Sequence, residues 1–266
     1  MIPDDELIEV FKSFHSFRRE TANEFVRSRI IQHSNFEVQG RTHSNFKSFM
    51  FFDIANNSTR RLISELNRFL LNINHADCWF RAVQKYPEED RSGLLWEFVD
   101  PQVELAVSRP YSIRNQFIFA AVYLLHYSNQ LKEPNWQDNL PKDKNIDFKV
   151  LEKKASGWPC CQSFKEKIER LDSDEFKNKT TMNFRHRLQH RFRSHFDFGI
   201  TPFIDRIKTE NGITYAFKII PPLDLNILIP ALYEQHQIAV EVFQSYWQMV
   251  SDLRGEWEKK YSIQKK

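Results

Sequence analysis

Arg185, His186 and His190 stand within six residues of one another, and Arg187, Arg191 and Arg193 are interleaved with them. An imidazole titrates near neutrality and can take or give a proton. A guanidinium holds phosphate oxygens through paired hydrogen bonds and stabilises charge that develops at phosphorus. These are the groups that phosphodiester cleavage uses. Positions 176–196 contain no acidic residue and also carry Lys177, Lys179 and His195, although the whole chain has a net charge of only +3. The charge bias is local, which makes this stretch the place where a functional argument starts.

The residues alone leave three readings of the stretch open. It is a solvated or salt-bridged basic face, an RNA-cleaving site, or a nucleic-acid contact without chemistry. His186 and His190 have the i, i+4 spacing that can hold zinc, but Arg185, Arg187 and Arg191 repel a cation and no carboxylate follows before Asp197. No metal and no cofactor is therefore expected. Elsewhere, His236 lies on an apolar stripe and reads as a core histidine, His126 ends a buried helix, and Cys160-Cys161 read as two thiols rather than a disulfide.

Arg185-His186-x-x-x-His190 resembles the motif of the HEPN superfamily of small helical proteins, an Arg followed after four to six residues by His, often with Asn, Asp or His directly after the Arg. Arg27…His33 and Arg68…His75 share the bare spacing, but Ser28 and Phe69 fail the second position. The resemblance implies a mostly helical fold and a metal-independent endoribonuclease, of the kind found in toxin–antitoxin, abortive-infection and CRISPR defence. It implies cleavage by attack of the ribose 2′-OH on the adjacent phosphate. His190 would then be general base or acid, Arg185 the stabiliser of the charged phosphorane, and His186 the group that orients the phosphate or His190. Arg187, Arg191 and Arg193 would bind the RNA backbone. It further implies a homodimer whose motif helices meet, with an antitoxin or other defence-system partner. The alternative is a non-catalytic helical adaptor or regulator that binds a protein or nucleic-acid partner through its long terminal helix.

Helical periodicity dominates the elements that must position these residues. Asp4 can cap a first helix through Phe11, Phe14 and Phe17 towards Ile30. A second runs from about Ser44 to Leu71, and a short one from His75 to Tyr86 stops at Pro87. Pro101 to Val107 is a further candidate, broken at Arg109-Pro110. Tyr111 to about Leu131 is apolar nearly all round and so reads as central. Lys132 to Asn145 reads as a loop and a subdomain boundary within a single domain, 1–266. Helices follow at Ile146–Ala155 and Gln162–Leu171. A helix over about 173–196 carries the motif. On it Phe184, Leu188, Phe192 and Phe196 share one stripe, with His186, His190 and Arg193 opposite. At 100° per residue, Arg185 and His190 lie about 140° apart. Alternating runs at about 203–219 flank Asn211-Gly212, a β-hairpin signal. The last helix, about 225–261, carries Leu228, Leu232, His236, Phe243, Trp247 and Trp257 on one stripe.

Composition supports a mostly helical fold. With 266 residues, 41% hydrophobic and 14% aromatic, the chain has ample apolar area for a core. Only 6 glycines are present, which argues against a doubly wound nucleotide fold or a β-sandwich. The longest apolar run, Phe117 to Leu125, is far short of the about 20 residues that span a bilayer, so no membrane association is expected. The acidic opening Met1-Ile2-Pro3-Asp4-Asp5-Glu6 does not read as a signal peptide, and three cysteines suit a reducing cytoplasm.

Overall fold

The structure, a computed structural model, describes residues 4–21, 29–36, 46–184, 196–197, 201–209 and 212–262. Among these the fold is mostly helical with one small antiparallel hairpin. In chain order the elements are α1 (Asp4–Thr21), α2 (Phe46–Val83), α3 (Glu88–Leu94), α4 (Asp100–Ser128), α5 (Phe148–Ala155) and α6 (Gln162–Arg170), then β1 (Thr201–Thr209), β2 (Gly212–Ile220) and α7 (Leu225–Ser262). Among the described residues no helix is long and apolar enough to cross a membrane.

The chain divides into two compact units, each woven from three stretches. The first comprises Met1–Arg29, Leu70–Ser108 and Ser173–Glu234, and the second Ile30–Phe69, Arg109–Asp172 and Gln235–Lys266. Lys132–Asn145, which the sequence suggests as a boundary, lies wholly inside the second unit.

In the first unit, Trp79 of α2 is sandwiched between Phe14 of α1 (4.0 Å between ring centroids) and Phe98 (4.7 Å), and Phe11 meets its edge at 5.3 Å. Val10, Ile73, Val83, Val103, Leu228 and Leu232 are buried in the same unit. In the second unit, Phe117 of α4 meets Phe164 of α6 and Tyr246 of α7. Trp257 stacks on Phe51 and donates its indole N–H to Ser128 Oγ at 3.3 Å. A large ring buried with its polar tip satisfied is the favourable way to bury tryptophan.

Two helices run further than the sequence suggests. Residues 72–74 do not interrupt α2, because Ile73 and Asn74 are buried and tertiary packing overrides the weak helix propensity of asparagine. Pro110 does not break α4. A helix-interior proline costs about 3 kcal/mol. Against that cost, Ala106, Val107 and Ile113 are buried and Arg109 pairs with Glu65 at 2.7 Å, both side chains mostly covered. The hairpin pairs Thr209 with Gly212, so Gly212 opens β2 rather than ending the turn, with φ of +126°, which favours glycine. The last helix extends to Ser262, close to the expected end.

Candidate functional site

Arg185, His186, Arg187, His190, Arg191 and Arg193 all lie outside the described residues. The structure does describe how their segment is held at both ends, within the first unit. At its entry, the chain makes a short helical turn over 174–180, and the Phe176 N–H in its first turn donates to Ser173 Oγ at 3.3 Å. Met182 and Asn183 then adopt left-handed conformations (φ of +47° and +57°). The turn is closed by Asn183 N–H to Lys177 O at 2.7 Å and Phe184 N–H to Thr181 O at 2.8 Å. Two consecutive left-handed residues end a right-handed helix. The helix expected from about residue 173 therefore does not pass through Asn183 as one element.

At its exit, Phe196 and Asp197 are tied to the start of α7. Phe196 bridges to Leu223, and Asp197 N–H donates to Leu223 O at 3.0 Å. Asp197 Oδ1 accepts the backbone N–H of Leu225 at 2.9 Å. Burial pushes the Asp197 carboxyl above its ordinary value, with the Leu225 hydrogen bond opposing that shift. The two ends meet, since the rings of Phe184 and Phe196 are both buried and 5.0 Å apart. The described residues on either side of the motif segment thus meet at one buried aromatic contact.

The acids nearest this segment are engaged locally. Asp174 pairs with Lys177 at 2.8 Å and Glu175 with Lys179 at 3.2 Å, both on the surface. Exposed pairs of this kind add about 0–1 kcal/mol each. Their consequence is for charge rather than stability, because they balance the two lysines that precede the motif.

The other histidines singled out in the sequence occupy very different surroundings. The His126 ring, at the end of α4, is fully buried. Its Nε2 donates to Asp138 Oδ1 at 2.9 Å and its Nδ1 accepts from Lys154 Nζ at 3.1 Å. This assignment keeps the imidazole neutral with both nitrogens used. Burial, followed by the Lys154 charge, holds its pKa below the ordinary histidine value, while Asp138 opposes. Lys154 also donates to Asn139 Oδ1 at 2.7 Å, and the Trp136 indole donates to His126 O at 3.0 Å. The arrangement fastens the 132–145 connection to α4 and α5. It offers a substrate no open nitrogen. Sequence reasoning missed this network, although Trp136 and Asp138 in a polar connection were its signal.

His236 is buried on α7 with its ring against Phe69 at 5.8 Å, a core position as its stripe suggests. Cys160 and Cys161 are free thiols, and Cys161 is buried with its pKa pushed up by the hydrogen bond to Cys160 and by burial. Among the described residues no group of three or more His, Cys, Asp or Glu side chains gathers as metal ligands would. Comparison of the chain with known protein families, with curated proteins and with solved structures yields no match to any of them.

Proposed function

We propose that the chain is a metal-independent endoribonuclease of the HEPN type whose chemistry is carried by Arg185, His186 and His190. One imidazole takes the proton of the ribose 2′-OH as its oxygen attacks the adjacent phosphorus. The bond to the 5′-oxygen breaks, and a second imidazole gives that oxygen a proton. The products are a 2′,3′-cyclic phosphate and a 5′-OH. Arg185 neutralises the charge on the phosphorane, His186 orients the phosphate, and Arg187, Arg191 and Arg193 hold the backbone. His190 serves as one of the two proton carriers, and a second copy of the chain in a homodimer supplies the other. A bacterial defence role, with an antitoxin partner in the cytoplasm, accompanies this reading.

The observation that carries the proposal is the acid-free stretch 176–196, whose three imidazoles and four guanidinium groups all fall in the sequence between the touching Phe184 and Phe196. The mostly helical fold is compatible with this reading, and His126 and His236 are poor competitors, since one has both nitrogens committed and the other is buried in the core.

The test is to incubate the purified chain with RNA in EDTA and identify the product ends. Expected are 2′,3′-cyclic phosphate and 5′-OH termini, with cleavage blocked by a single 2′-deoxy nucleotide at the scissile position. Cleavage through that 2′-deoxy position, or abolished by EDTA, would contradict the mechanism. RNA bound but never cut would favour the adaptor reading.

A further inference from the structure

The hairpin of the first unit presents a face that the proposed chemistry does not use. Its register sets Pro202 opposite Ile219, Ile204 opposite Phe217, Arg206 opposite Tyr215 and Lys208 opposite Ile213. Alternation along each strand places these eight side chains on one side of the ribbon, and all eight are exposed. Phe217 is 84% exposed, Ile219 67% and Tyr215 61%. Large apolar side chains gathered in the open mark an interaction site, and a two-stranded hairpin alone is marginally stable in water. Something of matching chemistry belongs on this face.

The charges identify it. The eight positions hold two cations, Arg206 and Lys208, and no acid. Two aromatic rings stand two residues apart on β2, about 7 Å along the strand, a spacing that suits bases splayed from a single strand. On the facing strand Arg206 lies opposite Tyr215 and Lys208 lies one pair nearer the turn, where their charges can meet backbone phosphates beside the stacked bases. Aromatic platforms flanked by basic side chains are how single-stranded nucleic acid is held without sequence preference. A protein partner would need acids opposite Arg206 and Lys208 together with a complementary apolar surface. A second copy of the same face would bring two further cations and no acid to the contact.

We infer that this face of the hairpin binds single-stranded RNA by stacking bases on Tyr215 and Phe217. The inference rests on the reading of the chain as a ribonuclease, and it gives that site a substrate class. Position supports it, because the hairpin begins four residues after Asp197. Its far end is tied back there through Leu223, beside the Phe196 contact where the motif segment ends. A strand bound along nine-residue ribbons, each about 30 Å long, would be delivered to the base of that segment.

The experiment uses the full chain and a fluorescent 12-nucleotide 2′-O-methyl RNA, which this chemistry cannot cut, so binding is read apart from cleavage. Phe217→Leu keeps apolar area but removes the ring. It should weaken binding by about 5- to 100-fold, the share of one stacked base, while Phe217→Trp should bind as the wild type does. Cleavage of unmodified RNA is followed in parallel. Equal affinity of Phe217→Leu and wild type, or no binding by the wild type, would overturn the inference. Equal affinity with cleavage intact would overturn it while sparing the ribonuclease reading. Ring-dependent binding with no cleavage would support the platform and sink the chemistry. A Phe217→Leu chain that changes mass by light scattering without losing RNA would make the face a contact between copies and overturn the inference.

Discussion

The region around His126 and the hairpin draw on the same kinds of side chain and use them in opposite ways. Around His126 the network is closed. The imidazole is held between Asp138 and Lys154, the Trp136 indole donates to a backbone carbonyl, and Lys132 lies 3.7 Å over the Trp158 ring while its ammonium meets Gly157 O. On the hairpin, Arg206, Lys208, Tyr215 and Phe217 all stand exposed. The difference shows that residue type alone does not mark function. A buried group with its partners in place is part of the frame, whereas an exposed group with unmet chemistry is a surface for something else.

Substitutions should separate the two regions cleanly. Arg185→Ala, in the motif segment that precedes the hairpin, should lower RNA cleavage by about 10²–10³-fold through lost charge stabilisation and leave the urea midpoint unchanged. His126→Ala should do the reverse. It empties a buried site and removes one hydrogen-bond partner each from Lys154 and Asp138, costing about 2–4 kcal/mol in urea unfolding with cleavage per folded molecule retained.

The pH dependence sharpens the contrast. The folded His126 pKa lies below the ordinary value near 6.5, so the unfolded chain binds the proton more readily. The stability of the neutral ring is fully present above about pH 6.5 and is lost as pH falls through the folded pKa. The slope contributed is at most about 1.4 kcal/mol per pH unit. His75, lowered by burial and by Arg18, acts in the same direction. His126→Ala should therefore show a shallower loss of stability from pH 7 to 5 than the wild type. An unchanged slope would show that folding does not lower the pKa of His126.

Smaller effects are expected where side chains are exposed. Phe217→Ala should leave stability within about 0.5 kcal/mol of wild type in the same urea titration. Arg193→Ala should reduce the salt dependence of RNA binding by about one unit of log–log slope, the signature of one phosphate contact.

Much of the frame was legible in the chain, and the failures have physical causes. Period-two alternation around Asn211-Gly212 marked the hairpin to within two residues, because strand patterning is local. The stripe from Leu225 marked α7. Pro110 misled because a single residue signals a break, while the burial that outweighs it is tertiary. The two units were not legible, because each is woven from three stretches and no shift in composition marks them. At the motif, Met182 and Asn183 adopt left-handed backbone without any glycine to announce it. Asparagine tolerates that region, but methionine gives no such sign. The residues proposed for catalysis were found by type and spacing alone.

His190 is the proposed proton carrier, and its removal is the most direct test of the chemistry. Wild type and His190→Ala, both folded by circular dichroism, are compared for cleavage of the same single-stranded RNA in EDTA. Loss of the proton carrier should lower the rate by about 10²–10⁴-fold. Binding of the uncleavable 2′-O-methyl oligonucleotide should remain at the wild-type level. Equal rates for the two proteins would contradict the assignment of the chemistry to this segment.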